Sequence, residues 1–432
     1  MDRPGSRRLA IQLLHAAGNH CAKVRPSLAQ QQHCSRSTVS SLSRRALWLS
    51  SRACRHPAQG HSSSSRRPVP PPPPPASTEL VAVLPTAAAA PRRRSLHVSP
   101  VSETAAKMSR CPVSSAARQP LATSQAQAVD APLTQSATFL VLSVAPRPEA
   151  LQTVRATLAG IDGLAKNVTI RDSTSTFSCA VGIGSDIWDQ LTGLPRPAEL
   201  HAFPTVKGAV HTAVSTPGDL LFHIRSDRRD ICFEFERQLM KLLGDAVQVQ
   251  DATVGFRYFD LRDLLGFVDG TANPVGPAVP DSVLIADEDA AAAGGSYVVV
   301  QKYVHDLQGW ERLSTEQQEA IIGRTKMDNM ELDDAEQGQK AHKTLATIED
   351  EDGNEHDILR DNMPFGSPGN GELGTYFIGY SRRLWVTEKM LERMFVGDPP
   401  GLHDRILDYS RPMTGTTFYA PPAAVLAGLD KS

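Results

Sequence analysis

Two series of apolar runs, in the same order along the chain, most constrain what this sequence can fold into. In the first series, a strand-like run over 137–145 is followed by a helical spacing and a second strand-like run over 176–183. In the second series, a strand-like run over 296–303, a helical spacing and a run over 375–380 follow in the same way. Short apolar runs bounded by turn residues are typical of buried strands. The repetition therefore predicts a duplicated α+β unit.

The rest of the pattern completes two sets of strands and helices. Further strands are predicted over 219–225, 246–250, 256–259 and 416–420, and helices over 149–161, 229–243, 315–323 and 387–395, with a capped helix start at Ser185. Strands and helices in this order favour antiparallel sheets covered by helices on one face. Such a sandwich leaves a cavity between sheet and helices, which suits a flat ligand.

Residues 1–130 differ in composition from the rest of the chain. They hold about 18 Lys and Arg against about 4 acids, so the remainder carries a charge near −16 although the whole chain carries −2. This segment is rich in Arg, Ser, Ala and Pro, and its polyproline tract over 68–75 cannot join a packed core. An Arg-rich, acid-poor composition predicts a disordered targeting leader and linker, mitochondrial rather than plastid, with a cytoplasmic location as the other alternative.

A basic arm that binds nucleic acid is the competing interpretation of the leader. The segment lacks interleaved aromatic residues and the body that follows is acidic, so no nucleic-acid partner is expected. No run of about 18 apolar residues occurs, and no membrane span is expected. Four of the six cysteines lie in the first 111 residues, whereas Cys179 and Cys232 fall at positions that resemble a buried strand and helix. Without a Cys-x-x-Cys pair, a zinc ribbon, a redox dithiol and a covalent c-type haem are disfavoured.

One short segment places a carboxylate inside a tight turn. In Gly266-Phe-Val-Asp-Gly-Thr-Ala-Asn-Pro274, glycines lie on both sides of Asp269. Glycine permits backbone angles that other residues rarely adopt, and it lets the backbone approach a ligand closely. Taken alone, such a string is usually an ordinary turn, with Asn-Pro as its end. Its significance depends on residues farther along the chain.

Three polar residues downstream add to this turn. A single imidazole such as His342 is a common axial ligand of haem iron, although a lone His in a polar segment is usually a surface residue. Arg360 follows two apolar residues, where an Arg is often a structural ion-pair partner. Asn362 lies two residues after Arg360, so in a strand both side chains would point to one face and into one pocket.

Together these motifs resemble those of the dye-decolorising peroxidases, and most closely the compact bacterial-type branch. The residues that carry the resemblance are Gly-Phe-Val-Asp-Gly-Thr-x-Asn-Pro, Gly-Gly-Ser-Tyr-Val-x-Val-Gln, Ile-Gly-Arg-Thr-Lys, a His, and Arg-x-Asn-Met-Pro-Phe-Gly, in this order. The resemblance covers about residues 130–428. It implies a duplicated ferredoxin-like sandwich of the dimeric α+β barrel type, with an N-terminal half over 131–255 and a haem-binding half over 256–428.

The resemblance also implies roles for individual residues. His342 matches the haem-iron ligand, Asp269 the acid–base residue on the opposite face of the haem, and Arg360 the arginine beside that acid. Asn362 matches an asparagine that holds water in several members. Asp408 matches the acid that accepts a hydrogen bond from the iron-ligating histidine, which makes the imidazole more basic. An exposed acid on a helix is the alternative for Asp408.

Four further residues are implied to contact the cofactor. Gly270 and Thr271 belong to the turn that approaches the haem. Arg324 matches a contact to a haem propionate, and a salt bridge at a helix end explains it equally well. Phe377 is expected to form part of the wall above the haem, or to be a core aromatic residue of a strand.

The activity implied is that of a haem b peroxidase with one non-covalent haem per chain. It would reduce hydrogen peroxide and oxidise a small organic one-electron donor of the dye or phenol type, and a homo-oligomer is expected by analogy. A haem-handling protein with incidental peroxidase activity is the first alternative, and a duplicated ferredoxin-like protein without a cofactor is the second. The Asp269–Arg360 pair favours the enzyme, because a haem carrier has no use for an acid–base group above the iron.

Overall fold

The strands of this protein form one large antiparallel sheet. The computed structural model describes residues 126–172, 174–333 and 337–431. Its strands are β1 (Ser136–Val144), β2 (Phe177–Gly184), β3 (Val206–Lys207), β4 (Thr212–Ala213), β5 (Leu220–Ser226), β6 (Val247–Phe256), β7 (Ser296–His305), β8 (Ile348–Glu349), β9 (Glu355–His356), β10 (Leu359–Arg360), β11 (Met363–Ser367), β12 (Glu372–Ser381), β13 (Ser410–Pro412) and β14 (Thr416–Ala420). Ten of them pair in the large sheet, and β3–β4 and β8–β9 form two small hairpins.

The α-helices alternate with these strands. They are α1 (Pro148–Ala159), α2 (Ile161–Thr169), α3 (Ser185–Thr192), α4 (Arg229–Leu243), α5 (Ala278–Val283), α6 (Leu307–Glu311), α7 (Thr315–Ile322), α8 (His342–Ala346), α9 (Leu384–Val396) and α10 (Ala423–Gly428). Helix α4 buries Ile231, Cys232, Phe235, Leu239 and Leu243. Their spacing of three to four residues makes one apolar stripe, which packs against the sheet.

The sheet closes on itself as a ring of eight strands. In the first half the order is β6-β1-β5-β2, and in the second half it is β11-β12-β7-β14. The halves join where β2 pairs with β14 and where Phe365 of β11 pairs with Gly255 of β6. Each half has the strand order of a βαββαβ unit. The predicted α+β class, with antiparallel sheets and peripheral helices, is confirmed.

Both faces of the ring are buried, which explains the continuous apolar runs in the sequence. Along β1, Phe139 and Val141 pack inside the ring, whereas Leu140 and Leu142 pack with the helices outside it. Successive side chains of a strand point to opposite faces, so a strand buried on both sides has no polar alternation.

Two local predictions were wrong. The segment predicted over 246–250 is only the first part of a longer strand, β6, whose extent was hidden because Gln248, Gln250 and other residues of it are exposed. The strand predicted over 256–259 is wrong, because β6 ends at Phe256 and a short 3₁₀ helix begins at Phe259. Ser185 is the first residue of α3 rather than its cap, and its hydroxyl bonds to Asp186. The predicted leader and linker lies outside the described residues except for 126–130. The predicted boundary between the halves, at 255/256, falls at the end of β6 and stays a prediction.

No helix in the described part of the chain is long and apolar enough to cross a membrane. Cys179 and Cys232 are free thiols. Cys232 is buried in α4, and burial raises the pKa of its thiol to about 11. These two cysteines are therefore packing residues in a fold that needs no bond between them.

Candidate active site

A cavity of about 720 Å³ lies on the helix-covered side of β7 and β12. Its size is in the range of about 300–1,000 Å³ that is typical of pockets for small molecules and cofactors. The lining includes all four residues singled out from the motifs: Asp269, His342, Arg360 and Asn362. The fold therefore brings together residues that lie up to 93 positions apart in the sequence.

His342 is held by a buried carboxylate. It is the first residue of α8, and its Nδ1 lies 2.6 Å from Oδ2 of Asp404, which is fully buried. The other oxygen of Asp404 accepts a hydrogen bond from the backbone N–H of Ile406. Burial lowers the pKa of the His342 imidazole, but the Asp404 carboxylate more than offsets this, so the pKa lies above its usual value. With Nδ1 donating to Asp404, Nε2 keeps its lone pair for a metal ion.

The hydrogen bond predicted between Asp408 and His342 is wrong, because Asp404 accepts it instead. Asp404 caps the short 3₁₀ helix Arg405–Asp408, and Asp408 lies at the far end of that helix. There its carboxylate accepts hydrogen bonds from His211, His403 and Arg405. Burial raises the pKa of Asp408, yet these bonds outweigh it and bring the pKa down to about 2. The position of Asp404, directly before a turn, was the one local signal for its role.

Asp269 lies in the predicted tight turn. Its backbone N–H bonds to the carbonyl of Leu261, and Gly270 follows with φ of 81°, a conformation that favours glycine. Nδ2 of Asn362 lies 3.3 Å from Oδ1 of Asp269. The amide oxygen of Asn362 accepts the backbone N–H of Ile378, so the orientation of this amide is fixed. Asn362 thus positions one oxygen of the Asp269 carboxylate.

Arg360 is clamped by a residue that the sequence did not single out. Nδ2 of Asn273 donates to the Arg360 carbonyl at 2.7 Å, and Oδ1 of Asn273 accepts the Arg360 backbone N–H at 3.1 Å and its Nε at 3.4 Å. In the sequence, Asn273 is explained as part of the Asn-Pro end of the turn. Its side chain in fact links the loop of Asp269 to the strand of Arg360.

Arg360 and Asn362 do face one cavity, but not as members of one strand. Strand β10 ends at Arg360 and β11 begins at Met363. Asp361, between them, points the other way and is buried against Arg225 and Arg257, at 3.2 and 3.0 Å. This internal ion pair fixes the backbone between the two cavity residues. The predicted side-chain alternation therefore holds, whereas the predicted continuous strand does not.

The other predicted cofactor contacts also line the cavity. Gly270 and Thr271 form part of its wall, and the Thr271 hydroxyl accepts a hydrogen bond from Asn329. Arg324 lines the cavity too, yet its guanidinium bonds to Glu331 at 2.8 Å, as the salt-bridge alternative predicts. Phe377 lies on β12 and combines both expectations, since it lines the cavity and packs against the apolar core.

His305 and Asp263 are two of the other titratable residues in the cavity wall. Burial lowers the pKa of His305 to about 4, and its ring nitrogens bond to the hydroxyls of Ser410 and Thr375. Burial raises the pKa of Asp263 to about 7. The backbone N–H of Phe267 donates to Oδ1 of Asp263 at 3.0 Å, and this hydrogen bond lowers the pKa by less than burial raises it. Neither residue belongs to a motif, and only the fold reveals them.

The lining suits a flat apolar ring with an axial nitrogen ligand. Phe377, Leu391 and Met394 supply apolar surface beside His342. Gln301 also lines the cavity, and its buried Nε2 has no hydrogen-bond partner among the described residues. Because a buried donor without a partner is costly, this atom fits a site that a polar group of a ligand completes. The residues present therefore fit haem.

Comparison with known proteins agrees with this geometry. Residues 126–257 match the model described as Dyp-type peroxidase, N-terminal, and residues 260–425 match Dyp-type peroxidase, C-terminal. A dye-decolorizing peroxidase of Mycobacterium tuberculosis is 53% identical over 295 residues, which are 68% of this chain and 88% of that protein. More distantly, a deferrochelatase of Escherichia coli O157:H7 is 25% identical over 283 residues, which are 57% of this chain and 65% of that protein.

Solved structures are similar in the same region. DyPB from Rhodococcus jostii RHA1 is 54% identical, covers 70% of this chain and 97% of its own, and superposes with a TM-score of 0.68. A DypB variant from the same organism, in complex with heme, is 53% identical, covers 70% of this chain and 98% of its own, and has a TM-score of 0.69. Since the two domain models together match most of the chain and the relatives are about half identical to it, this protein belongs to the Dyp-type peroxidase family.

Proposed function

We propose that this protein is a haem b peroxidase that reduces hydrogen peroxide and oxidises a small organic one-electron donor of the dye or phenol type. One hydrogen peroxide, two protons and two donor electrons yield two waters. The observation that carries the proposal is the presence of the His342–Asp404 pair and of Asp269, Arg360 and Asn362 in one cavity. The named dye-decolorizing relatives and the heme complex of a close structural relative support it.

His342 and Asp404 anchor the cofactor. When bound, haem supplies the redox-active iron that takes oxidising equivalents from peroxide and passes them to the donor. Nε2 of His342 is the atom that would ligate this iron, because Nδ1 is committed to Asp404. A carboxylate behind a ligating imidazole fixes the ring and raises its basicity. Asp404 therefore favours electron donation by His342 toward the metal.

Asp269 is the proton carrier of the proposal. Splitting peroxide requires removal of a proton from one oxygen and its delivery to the other, which leaves as water. Asn362 occupies Oδ1 of Asp269, and Oδ2 is the oxygen that takes and returns this proton. Arg360 supplies a fixed positive charge in the same cavity, which stabilises negative charge on the leaving oxygen. Asn273 holds Arg360 in place for this task.

The proposal is tested by adding one equivalent of hydrogen peroxide to the haem-loaded protein. Rapid change of the Soret band, followed by return to the starting spectrum when a phenol or dye is added, is the expected result. The more distant deferrochelatase relatives suggest the alternative, a haem-handling protein. A slow spectral change without donor oxidation, together with iron release to a chelator, would overturn the peroxidase and favour that alternative.

We also propose that the leader directs the protein to mitochondria, on the strength of its Arg-rich, acid-poor composition. A fusion of residues 1–130 to a fluorescent protein is expected to enter mitochondria. Replacement of Arg92, Arg93 and Arg94 by Gln should reduce entry, whereas replacement by Lys should preserve it. Delivery to plastids, or an even cytosolic distribution of the unaltered fusion, would refute this location. The expected homo-oligomer stays a prediction.

A further inference from the structure

We propose that His211, His403 and Asp408 form a binding site for a divalent transition-metal ion of the zinc type, separate from the haem cavity. Nε2 of His211 lies 3.0 Å from Oδ1 of Asp408, and Nε2 of His403 lies 2.9 Å from the same oxygen. The three potential ligand atoms all lie within 4.8 Å of one another. In tetrahedral zinc coordination with bonds of about 2.0–2.1 Å, ligand atoms are about 3.4 Å apart, so small side-chain movements suffice.

The donor set selects a class of ion. Two imidazoles and one carboxylate are the protein ligands of several zinc sites that keep a fourth position for water. Calcium and magnesium prefer sites made of oxygen atoms alone, so imidazole nitrogens disfavour them. Zinc and its neighbours in the first transition row accept this mixture readily. The position of the three side chains near the surface, with 14–28% of each side chain exposed, gives an ion access from solvent.

The fold holds the three side chains from separate parts of the chain. His211 directly precedes β4, and its carbonyl accepts the backbone N–H of Gly208. The carbonyl of His403 accepts a hydrogen bond from the side chain of Gln339. Nε of Arg405 bonds to Oδ2 of Asp408 at 2.6 Å, which leaves Oδ1 directed at the two imidazoles. Such hydrogen bonds around ligands orient them for a metal.

The proposed zinc site lies next to the segment that holds the haem-ligating histidine in place. His403 directly precedes Asp404, the carboxylate that holds His342. An ion bound to both His403 and Asp408 clamps the two ends of the segment that carries Asp404. The competing explanation is that the two imidazoles only donate hydrogen bonds to Asp408, and in that case the cluster stabilises this segment without an ion.

Zinc binding to the haem-loaded full chain decides between these explanations. The probe is zinc chloride, titrated by calorimetry into chelator-treated protein without a histidine tag. The variants His211→Gln and Asp408→Asn should each lose one equivalent of bound zinc relative to the unaltered protein, with affinity at that site reduced more than about 100-fold. Replacing a residue that only hydrogen-bonds to a metal ligand typically lowers metal affinity about 10–100-fold, so replacing a ligand itself should lower it more. Zinc held by cysteines of the leader is common to all variants and cancels in this difference.

His201→Gln is the matched control. His201 is an exposed histidine beside a different carboxylate, Glu388, at 3.2 Å. This variant should keep the full zinc stoichiometry. Zinc should also raise the melting temperature of the unaltered protein and of His201→Gln, but not of His211→Gln, because a ligand stabilises only the fold that binds it. Equal zinc binding by His211→Gln and the unaltered protein, or loss of the equivalent in His201→Gln, would overturn the proposal.

Discussion

Nδ1 of His342 lies 2.6 Å from Oδ2 of Asp404, and the carboxylate of Asp404 is fully buried although 62 residues separate the two in the chain. A buried carboxylate must be hydrogen-bonded, and Asp404 meets this need with His342 and the backbone N–H of Ile406. The bond therefore fixes both the ring orientation and the tautomer of the residue that anchors haem.

The first prediction concerns this pair. Asp404→Asn keeps the size of the side chain but removes its negative charge, so His342 becomes a weaker electron donor. We expect the variant to bind haem and to react with hydrogen peroxide about 10–100-fold more slowly, as is typical for changes behind a metal ligand. Stopped-flow measurement of the Soret change gives the rate. If Asp408→Asn produced the larger loss, Asp408 rather than Asp404 would be the functional partner.

The second prediction separates haem binding from peroxide activation. Asp269→Ala and Arg360→Leu should retain haem and react slowly with peroxide, because both residues act on peroxide and neither ligates iron. His342→Ala should instead lose affinity for haem, measured by titration of the haem-free protein. Arg324→Leu is a matched control for Arg360→Leu, since Arg324 lines the same cavity but is paired with Glu331. We expect a smaller change in rate for this control.

An unchanged peroxide rate in Arg360→Leu would contradict the role given to Arg360. Likewise, an unchanged peroxide rate in Asp269→Ala would contradict the role of Asp269 as the proton carrier. The two variants also show which residue dominates, because each rate constant converts to a change in activation free energy of about 1.4 kcal/mol per factor of ten. Asn362→Ala should have the smallest effect of the three, since Asn362 acts through Asp269.

The third prediction tests Asn273 as a positioning residue. Asn273→Ala removes three hydrogen bonds to Arg360 and should slow the reaction with peroxide about tenfold, which corresponds to roughly the net free energy of one hydrogen bond. Because Asn273 acts through Arg360, adding Asn273→Ala to Arg360→Leu should cause little further loss. Additive losses in the double variant would show that Asn273 acts by another route. Asn273→Asp, which keeps the Oδ1 acceptor, should recover part of the rate.

Local patterns predicted the elements whose burial is continuous. The bounds of α4 and β14 were predicted as observed, since an apolar stripe or run marks each of them. Strand β6 was predicted only in its first part because it is largely exposed and has no apolar run. Its place in the ring depends on pairing with β1, which lies more than 100 residues earlier. Pairing of this kind leaves no local signal.

Some residues of the candidate site could likewise be predicted from the sequence, and others could not. Asp269, His342, Arg360 and Asn362 were found because they belong to motifs whose order is specific, and the structure places them in one cavity. Asp404 was missed and Asp408 chosen because both are acids on one short segment, and only the fold shows which of them meets His342. The contact of Asn273 with Arg360 could not be predicted, because an Asn before a proline is fully explained by its place in a turn.

The last prediction concerns the pH dependence of stability. Burial raises the pKa of Asp263 to about 7, well above the usual value of an Asp carboxyl of about 4. The folded state therefore holds this proton more tightly than the unfolded state does. The contribution of Asp263 alone to the free energy of folding is most favourable below about pH 4 and is lost as the pH rises through 7. Because Asp263 is only half-buried and lines the cavity, water moderates the penalty, and we expect a cost of about 2 kcal/mol above pH 7.

Asp263→Asn removes the ionisation and keeps the oxygen that accepts the backbone N–H of Phe267. The stability of the variant relative to the unaltered protein should increase by about 1–2 kcal/mol when the pH is raised from 5 to 8.5. Urea unfolding of the haem-loaded proteins at the two pH values, followed by circular dichroism, measures this difference. Asp263→Glu keeps an ionisable group at the position and should retain the pH dependence. An equal effect of Asp263→Asn at both pH values would mean that the carboxyl of Asp263 titrates in its ordinary range, with water reaching it through the cavity.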